Sequence, residues 1–205
     1  MFALKQCLCY NLNIQIQYRK RGKKMDITAL FQLSYGIYYI TSHVGEKQAG
    51  CVVNTVFQLT ANPVTVGVSV AKENQTYEFI KQTGTIGVTI LGESADSKML
   101  GKFGYRSGRD IDKFSDTNYH VGVNGDALID ESAVAQLDCT VVQELDMGTH
   151  VLFVARVDEA ENCENSESPM TYRYYREVKK GQSSKFAPTY VNPVELARME
   201  KEKQK

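Results

Sequence analysis

Short runs rich in β-branched and aromatic residues follow one another along most of this chain. They occupy residues 35–42, 49–60, 63–70, 85–91, 133–146, 149–159 and 170–178. Such residues suit the pleated, half-buried surface of a β-sheet. In "VTVGVSV" (64–70) every second residue is valine, and Thr65, Gly67 and Ser69 alternate with the valines. The valine face is therefore expected to enter a core, whereas the small residues opposite leave room for a flat group to approach.

Two short helical segments interrupt the predicted strands. The segment 74–82 begins at Asn74, a residue that can cap a helix, and is soon followed by a glycine. The segment 94–104 has Ser94 as its predicted cap and Asp96 in its first turn. Both segments are shorter than the crossover helices of a doubly wound fold. Many strands with few helices predict a mainly β fold, namely an antiparallel barrel.

The charge balance excludes some classes of partner. The 205 residues include 24 Lys or Arg and 24 Asp or Glu, a formal net charge of zero, which argues against a general nucleic-acid binder. Residues 1–24 carry six of the basic residues and no acid, so the remainder has 24 − 6 = 18 basic against 24 acidic residues. No stretch approaches the about 20 apolar residues of a membrane-spanning helix, so no membrane partner is expected.

The chain is expected to contain one domain with a segment on each side of it. Residues 1–25 form the predicted N-terminal extension, a doubtful or disordered one, because the basic cluster there comes last instead of first as in a signal peptide. The domain is predicted for residues 26–190. Residues 191–205 form a charged C-terminal tail, predicted to be an exposed helix or disordered.

The cysteines indicate a reducing compartment. Their odd number, five, and their irregular spacing do not suit a disulfide framework, and no pair of Cys-x-x-Cys motifs suggests a metal site. Cys51 and Cys139 lie inside predicted strands, where a small buried hydrophobic residue is the expected role. A cytoplasmic location without a bound metal is the prediction.

Hydrogen-bonding side chains interrupt the apolar run 49–60 at Asn54 and Thr55. Polar groups in a buried strand need partners, and either backbone groups or a ligand could supply them. If the runs 49–60 and 63–70 form a hairpin, the next polar residues come close to this pair. They are Lys72, Asn74 and Thr76, at the start of the first predicted helix. Backbone N–H groups and the helix dipole make such a helix start favourable for a phosphate.

The segment "FGYRSGRDIDKF" (103–114) combines two arginines and a lysine with two aspartates. The planar guanidinium of arginine can donate two parallel hydrogen bonds to a phosphate. Asp110 and Asp112 could instead neutralise the arginines on the protein surface. By itself the segment leaves both interpretations open, an anion cradle and a self-neutralising loop.

His150 follows Gly148 and Thr149 at the start of a predicted strand. No Ser-His-Asp, Cys-His or metal-binding spacing accompanies this histidine. A lone histidine is more often structural than catalytic. Reactivity in such a chain would therefore come from a bound cofactor.

In combination these segments resemble the flavin reductase-like family of FMN-binding split barrels, and within it the flavoredoxins and the flavin domain of high-molecular-weight rubredoxins. The resemblance covers roughly residues 26–190. Its motifs are "VNTVFQLTANP" (53–63), "FGYRSGRDIDKF", the Gly-Thr-His that varies the family's Gly-Asp-His, and the closing "YYREVKKGQSSKFAPTY" (174–190). It implies a Greek-key antiparallel split barrel with a few short helices.

The resemblance also implies which residues bind FMN. Asn54 and Thr55 would meet the edge of the isoalloxazine ring, and Lys72, Asn74 and Thr76 would lie along the ribityl chain and phosphate. The loop Gly104–Arg109 would close on the phosphate with support from Lys113, and His150 would line the nicotinamide side. The cofactor-binding residues of the loop are Gly104, Arg106, Ser107, Gly108, Arg109 and Lys113.

The implied activity is electron transfer from NADH or NADPH through FMN to a second acceptor, for which a separate redox protein is one candidate. Members of the family are usually homodimers with the flavin at the subunit interface. Two alternatives stay open from the sequence. One is a non-enzymatic flavin-binding or sensor module, and the other is an enzyme similar to pyridoxamine-phosphate oxidase, against which the segment "SGRDIDKF" argues.

Overall fold

The structure, a computed structural model, describes residues 26–164, 166–192, 194, 197 and 198. The whole predicted extension 1–25 and much of the tail 191–205 therefore lie outside the described residues. The chain divides into two compact units, residues 1–33 and 34–205. The described part of the first unit is a 3-10 helix, Ile27–Gln32, which begins where the Asp26 side chain accepts a hydrogen bond from the Thr28 amide.

The second unit is built mainly from β-strands joined by short helices. The strands are β1 (Tyr38–Val44), β2 (Lys47–Val53), β3 (Val56–Ala61), β4 (Val64–Ala71), β5 (Thr85–Leu91), β6 (Tyr119–Val121), β7 (Ala127–Ile129), β8 (Ala133–Asp146) and β9 (His150–Asn162). The helices are α1 (Gln75–Thr83), α2 (Ser97–Tyr105) and α3 (Tyr172–Glu177).

One antiparallel sheet of seven strands, in the order β2-β1-β5-β8-β9-β4-β3, forms the body of this unit. Its two edge strands, β2 and β3, are consecutive in the chain and are joined only by Asn54 and Thr55. A link of this length spans at most about 11 Å, so the sheet has to curl until its edges nearly meet. The Ser69 amide on β4 donates a hydrogen bond to the Thr55 carbonyl at this seam. The predicted antiparallel split barrel is confirmed.

The alternation of valines in β4 determines which face enters the barrel. Val66, Val68 and Val70 are buried in the main core cluster, together with residues of β1, β5 and β9. The small face of the same strand is approached as predicted, although at Gly67 the approaching group belongs to the chain itself. A Cβ atom on Gly67 would lie 2.9 Å from the ring of Phe57. Glycine is needed here because the Phe57 ring rests on the strand backbone.

Both predicted helices are present, with small shifts at their starts. Helix α1 begins after Asn74 and ends at Gly84, whose φ of 72° lies in the left-handed region that glycine adopts without strain. Helix α2 is capped by Asp96, whose side chain accepts a hydrogen bond from the Lys98 amide. Ser94 was the predicted cap, so that prediction was two residues too early.

The prediction of a strand over residues 170–178 was wrong, because Tyr172–Glu177 form helix α3. The Thr171 hydroxyl accepts a hydrogen bond from the Tyr174 amide and so caps the helix. Tyr172 and Tyr175, one helical turn apart, stack on each other with ring centroids 6.2 Å apart and pack against the second core cluster. Tertiary packing and the cap outweigh the preference of tyrosine for strands.

Candidate functional site

A cavity that opens to solvent lies beside the seam of the barrel. Its inner wall consists of the ends of β2 and β4 and the adjoining ends of α1 and α2. Its outer wall is the irregular segment that follows α3. The inner wall contains four of the predicted site residues, and these are Asn54, Asn74, Gly104 and His150.

Asn54 stands at the break between the two edge strands and is 4% exposed. Its Nδ2 donates a hydrogen bond to Oγ1 of Thr189 at 2.7 Å, and its Oδ1 accepts one from the Thr55 hydroxyl at 3.1 Å. The partners of this buried amide are therefore side chains. Since Asn54 also lines the cavity and its NH2 group has a second N–H, the amide is placed to bind a ligand while it keeps Thr189.

The start of α1 faces the same cavity through Asn74. The Asn74 side chain makes no capping hydrogen bond within the described residues, and the Tyr77 amide donates to the Asn74 carbonyl, so the amides that precede Tyr77 are the ones available to another acceptor. Positive partial charge at a helix start suits a phosphate group. Thr76, in the first turn, is buried at 1% exposure, and its hydroxyl opposes the rise that burial causes in the pKa of the Cys51 thiol.

Lys72 lies beside the cavity, along a neighbouring groove that shares His150 with it. Its ammonium pairs with the Asp146 carboxylate at 2.7 Å. That hydrogen bond holds the pKa of the Asp146 carboxyl below its ordinary value. Lys72 would have to leave Asp146 in order to contact a cofactor phosphate.

The loop after α2 is attached to α1 by Arg109. One guanidinium nitrogen donates to the Glu73 carbonyl at 3.0 Å, and the other pairs with the Glu78 carboxylate at 2.8 Å. The Ser107 hydroxyl accepts a hydrogen bond from the Arg109 amide, whereas Arg106 is exposed to solvent. The acid that neutralises Arg109 thus comes from helix α1 and not from the neighbouring Asp110 or Asp112.

Gly108 lets the loop approach the start of α1 closely. A Cβ atom there would lie 2.4 Å from Oε1 of Gln75. A larger residue at this position would require the flexible Gln75 side chain to move. Gly104 is less crowded, since its nearest neighbours, atoms of Val52, would be 3.6 Å from a Cβ.

Lys113 is buried beneath the loop, at 4% exposure. Its ammonium donates hydrogen bonds to the carbonyls of Gly50 at 2.8 Å and Phe103 at 3.2 Å and lies over the Phe103 ring. Burial lowers the pKa of this lysine. These contacts join the loop to β2 and α2, so Lys113 is placed to support the loop instead of reaching into the cavity.

His150 sits on the inner wall where the cavity and the neighbouring groove meet. Its Nε2 lies 2.9 Å from the Phe186 carbonyl, and its Nδ1 lies 2.9 Å from the Thr149 hydroxyl. The threonine of the Gly-Thr-His motif therefore orients the ring from one side. On the other side of the ring, Nε2 contacts the outer wall at Phe186.

The outer wall and the tyrosines that contact it were not predicted from the sequence. Tyr105, Tyr172 and Tyr175 line the cavity together with residues 182–184 and 186–188. The segment 174–190 belongs to the family pattern, but no periodicity marks it as a wall. Cys51 also lines the cavity, and burial raises the pKa of its thiol.

A comparison with family models identifies the flavin reductase like domain over residues 30–180, which end just before the outer wall. The high molecular weight rubredoxin of Moorella thermoacetica is 40% identical over 166 residues, which are 81% of this chain and 72% of that protein. The ferric-chelate reductase (NAD(P)H) of Archaeoglobus fulgidus is 38% identical over 166 residues, 81% of this chain and 98% of that protein.

Solved structures share the fold. The crystal structure of flavoredoxin from Methanosarcina acetivorans superposes with a TM-score of 0.59 at 26% identity, covering 70% of this chain and 77% of that one. An FMN-binding protein from Thermus thermophilus superposes with a TM-score of 0.60 at 20% identity, covering 65% of this chain and 75% of that one. No helix within the described part of the chain has the length and apolar character needed to cross a membrane.

Proposed function

The chain belongs to the flavin reductase like domain family, and from this premise we propose that it is an FMN-dependent oxidoreductase that passes electrons from NADH or NADPH to a second acceptor. Its relative from Archaeoglobus fulgidus is named as a reductase that uses NAD(P)H, and the FMN-binding protein of Thermus thermophilus has the same fold. The observation that carries the proposal is the convergence of a buried amide, Asn54, and an uncapped helix start at Asn74 on one cavity.

The residues of the cavity fit FMN in their chemistry. A flavin needs an apolar slot for its rings, hydrogen-bond partners at the ring edge and a cationic or amide-rich site for its phosphate. Small and apolar residues of β2 and β4 supply the slot, and Asn54 supplies an amide. The start of α1 supplies backbone N–H groups, and Arg109 reaches the same helix.

We assign roles to this chain's residues accordingly. Asn54 and Thr55 would orient the ring edge, and Asn74, Thr76 and the α1 amides would hold the ribityl phosphate. The loop residues Gly104, Arg106, Ser107, Gly108 and Arg109 would close on the phosphate, with Lys72 beside them and Lys113 beneath. Arg109 would exchange Glu78 for the phosphate, since a guanidinium binds a phosphate in the same forked geometry as a carboxylate.

When bound, FMN supplies the redox chemistry, because its ring system accepts a hydride and releases electrons to an acceptor. The protein contributes position and exclusion of water. The seam of the barrel fixes the Asn54 amide, and the outer wall covers one side of the cavity. Holding donor and acceptor atoms at contact distance is the largest contribution that such a scaffold can make.

We further propose a homodimer, which an apolar face on the outside of the sheet supports. The strand register aligns Phe57, Gly67 and Val154 across three strands and places Leu152 opposite Leu145. Phe57 and Leu145 are 45% and 44% exposed. A contiguous apolar face of this kind favours association with a second copy. Light scattering of the purified protein tests this proposal, and a monomer at micromolar concentration would refute it.

A separate redox protein is the proposed acceptor, and the cytoplasm the proposed compartment. Exposed cations, Lys180 and Lys185, lie near the cavity on the segment after α3 and would favour an acidic partner. The thiols of Cys51, Cys139 and Cys163 are free, which suits a reducing environment.

The first experiment is an anaerobic titration of the purified protein, monitored by its visible spectrum. A flavin spectrum that bleaches with NADH or NADPH supports the proposed function and names the donor. A protein that retains its flavin, and whose flavin spectrum changes with neither donor, would favour the non-enzymatic module. A colourless protein that does not bind added FMN would refute the proposal.

A further inference from the structure

The outer wall of the cavity is an irregular segment, Gln182–Thr189, which we call the strap. It forms no part of the sheet, and its backbone hydrogen bonds within the described residues are local turns such as that from the Ala187 amide to the Ser184 carbonyl. Residues 182–184 and 186–188 line the cavity on the side opposite Asn54 and Asn74. The position of the strap therefore depends on side chains from elsewhere in the fold.

The two ends of the strap are anchored by hydroxyl and amide groups. At the first end, the Gln182 carbonyl accepts hydrogen bonds from the Tyr105 hydroxyl at 2.6 Å and the Tyr175 hydroxyl at 3.3 Å. At the other end, Oγ1 of Thr189 accepts a hydrogen bond from Asn54. Tyr105 belongs to α2 and Asn54 to the seam, so the strap crosses the cavity from one part of the inner wall to another.

The middle of the strap is anchored by His150. The Phe186 carbonyl can only accept a hydrogen bond, so Nε2 of His150 has to carry a hydrogen. Nδ1 is then free to accept a hydrogen bond from the Thr149 hydroxyl. Both ring nitrogens of His150 are thus occupied, Nδ1 by Thr149 and Nε2 by the strap.

We propose that the strap encloses FMN against the barrel, and that Tyr105 and His150 are positioning residues that retain the cofactor by holding the strap. This inference rests on the proposed function and deepens it. His150 then acts on the flavin through the Phe186 carbonyl rather than by contact with the nicotinamide. FMN behaves as a prosthetic group kept through turnover, since its release requires the strap to open.

The test measures the rate at which FMN leaves the oxidised protein, with an excess of a second flavin-binding apoprotein as a trap. Tyr105→Phe keeps the ring and removes the hydroxyl that binds Gln182, and His150→Ala removes the central anchor. Loss of one hydrogen bond corresponds to about a tenfold change in rate, so both variants should release FMN about tenfold faster than the wild type.

Two matched variants separate anchoring from general damage. His150→Gln retains an N–H donor near the position of Nε2 and should restore slow release to within about threefold of the wild type. Tyr174→Phe alters a tyrosine of the same helix as Tyr175, one that does not line the cavity among the described residues, and should leave release unchanged.

The outcomes distinguish the two proposals. A wild type that binds no FMN overturns the proposed function. A wild type that binds FMN, with unchanged release in Tyr105→Phe and His150→Ala, overturns the strap while leaving the function intact. If His150→Ala does not fold, hydrogen exchange of residues 182–189 in the wild type replaces it. Bound FMN should slow exchange there at least tenfold, and equal exchange with and without FMN would contradict the inference.

Discussion

The two walls of the cavity are constructed in different ways. The inner wall is made from the barrel, where strands are paired residue by residue and valines alternate into a core. The strap is irregular and is held by a few side-chain hydrogen bonds. The structure of the inner wall follows from the local alternation of residues along its strands. The position of the strap depends on contacts between residues far apart in the chain. Stability should therefore reside in the barrel, and cofactor exchange should depend on the strap.

Substitution of one phenylalanine in the barrel core and one in the strap gives the largest expected contrast. Phe153 is 1% exposed in the main core, and Phe186 on the strap is 38% exposed. Phe153→Ala should lower the free energy of unfolding by about 3–5 kcal/mol, because it leaves a cavity in a packed interior. Phe186→Ala should change it by about 0.5 kcal/mol or less. Urea denaturation of both variants measures this, and similar losses would refute the division between the walls.

The barrel should also give the protein a pH-dependent stability that the strap lacks. Asp126 is fully buried, and burial raises the pKa of its carboxyl from 3.8 to about 6 although hydrogen bonds from His43 and Thr85 oppose the shift. The folded state then holds this proton more tightly than the unfolded state. The protonated Asp126 carboxyl therefore adds to the free energy of unfolding below pH 4. This stabilisation, about 3 kcal/mol, is lost as the pH rises through 6.

Asp126→Asn provides the check on this pH dependence. The amide cannot ionise, so the variant should lose the fall in stability between pH 4 and pH 6 that urea titrations of the wild type are expected to show. A variant with the same slope as the wild type would mean that another group is responsible. FMN release, which depends on the strap, should show no matching dependence on Asp126.

Arg109 tests the charged contact between the loop and helix α1, which lies outside the lining of the cavity. Arg109→Ala removes the guanidinium that we assign to the phosphate, and a charge-assisted hydrogen bond of this kind contributes about 1.5–3 kcal/mol. FMN affinity should fall about 10- to 100-fold in an equilibrium titration. Riboflavin, which lacks the phosphate, should bind the variant and the wild type equally. A parallel loss for both ligands would instead indicate a distorted loop.

The smallest expected effect has the opposite sign. Glu78 pairs with Arg109, and both side chains are more than two-fifths exposed, at 49% and 43%. Glu78→Gln would free the guanidinium at little cost, since an exposed pair contributes about 0.2–1 kcal/mol. FMN affinity should rise up to about fivefold by titration. A decrease would show that Glu78 orients Arg109 instead of competing with the phosphate.

The same difference between the walls explains how much could be predicted from the sequence. The alternating valines of β4 predicted a strand with one buried face, and Asn54 stood out because a polar amide interrupts an apolar run. Helix α3 was mistaken for a strand because tyrosine favours strands, and its cap at Thr171 was overlooked. The strap has no period and no core residue, so only tertiary contacts such as that between Phe186 and His150 reveal it.

The two-residue seam has a consequence for how such a protein can change over time. Asn54 and Thr55 are the only residues between the two edges of the sheet, and one of them also presents an amide to the cavity. An added or deleted residue at this point would alter barrel closure and the ligand site in the same event. A library with one residue added or deleted at this link should therefore show the fold and the flavin colour gained or lost together.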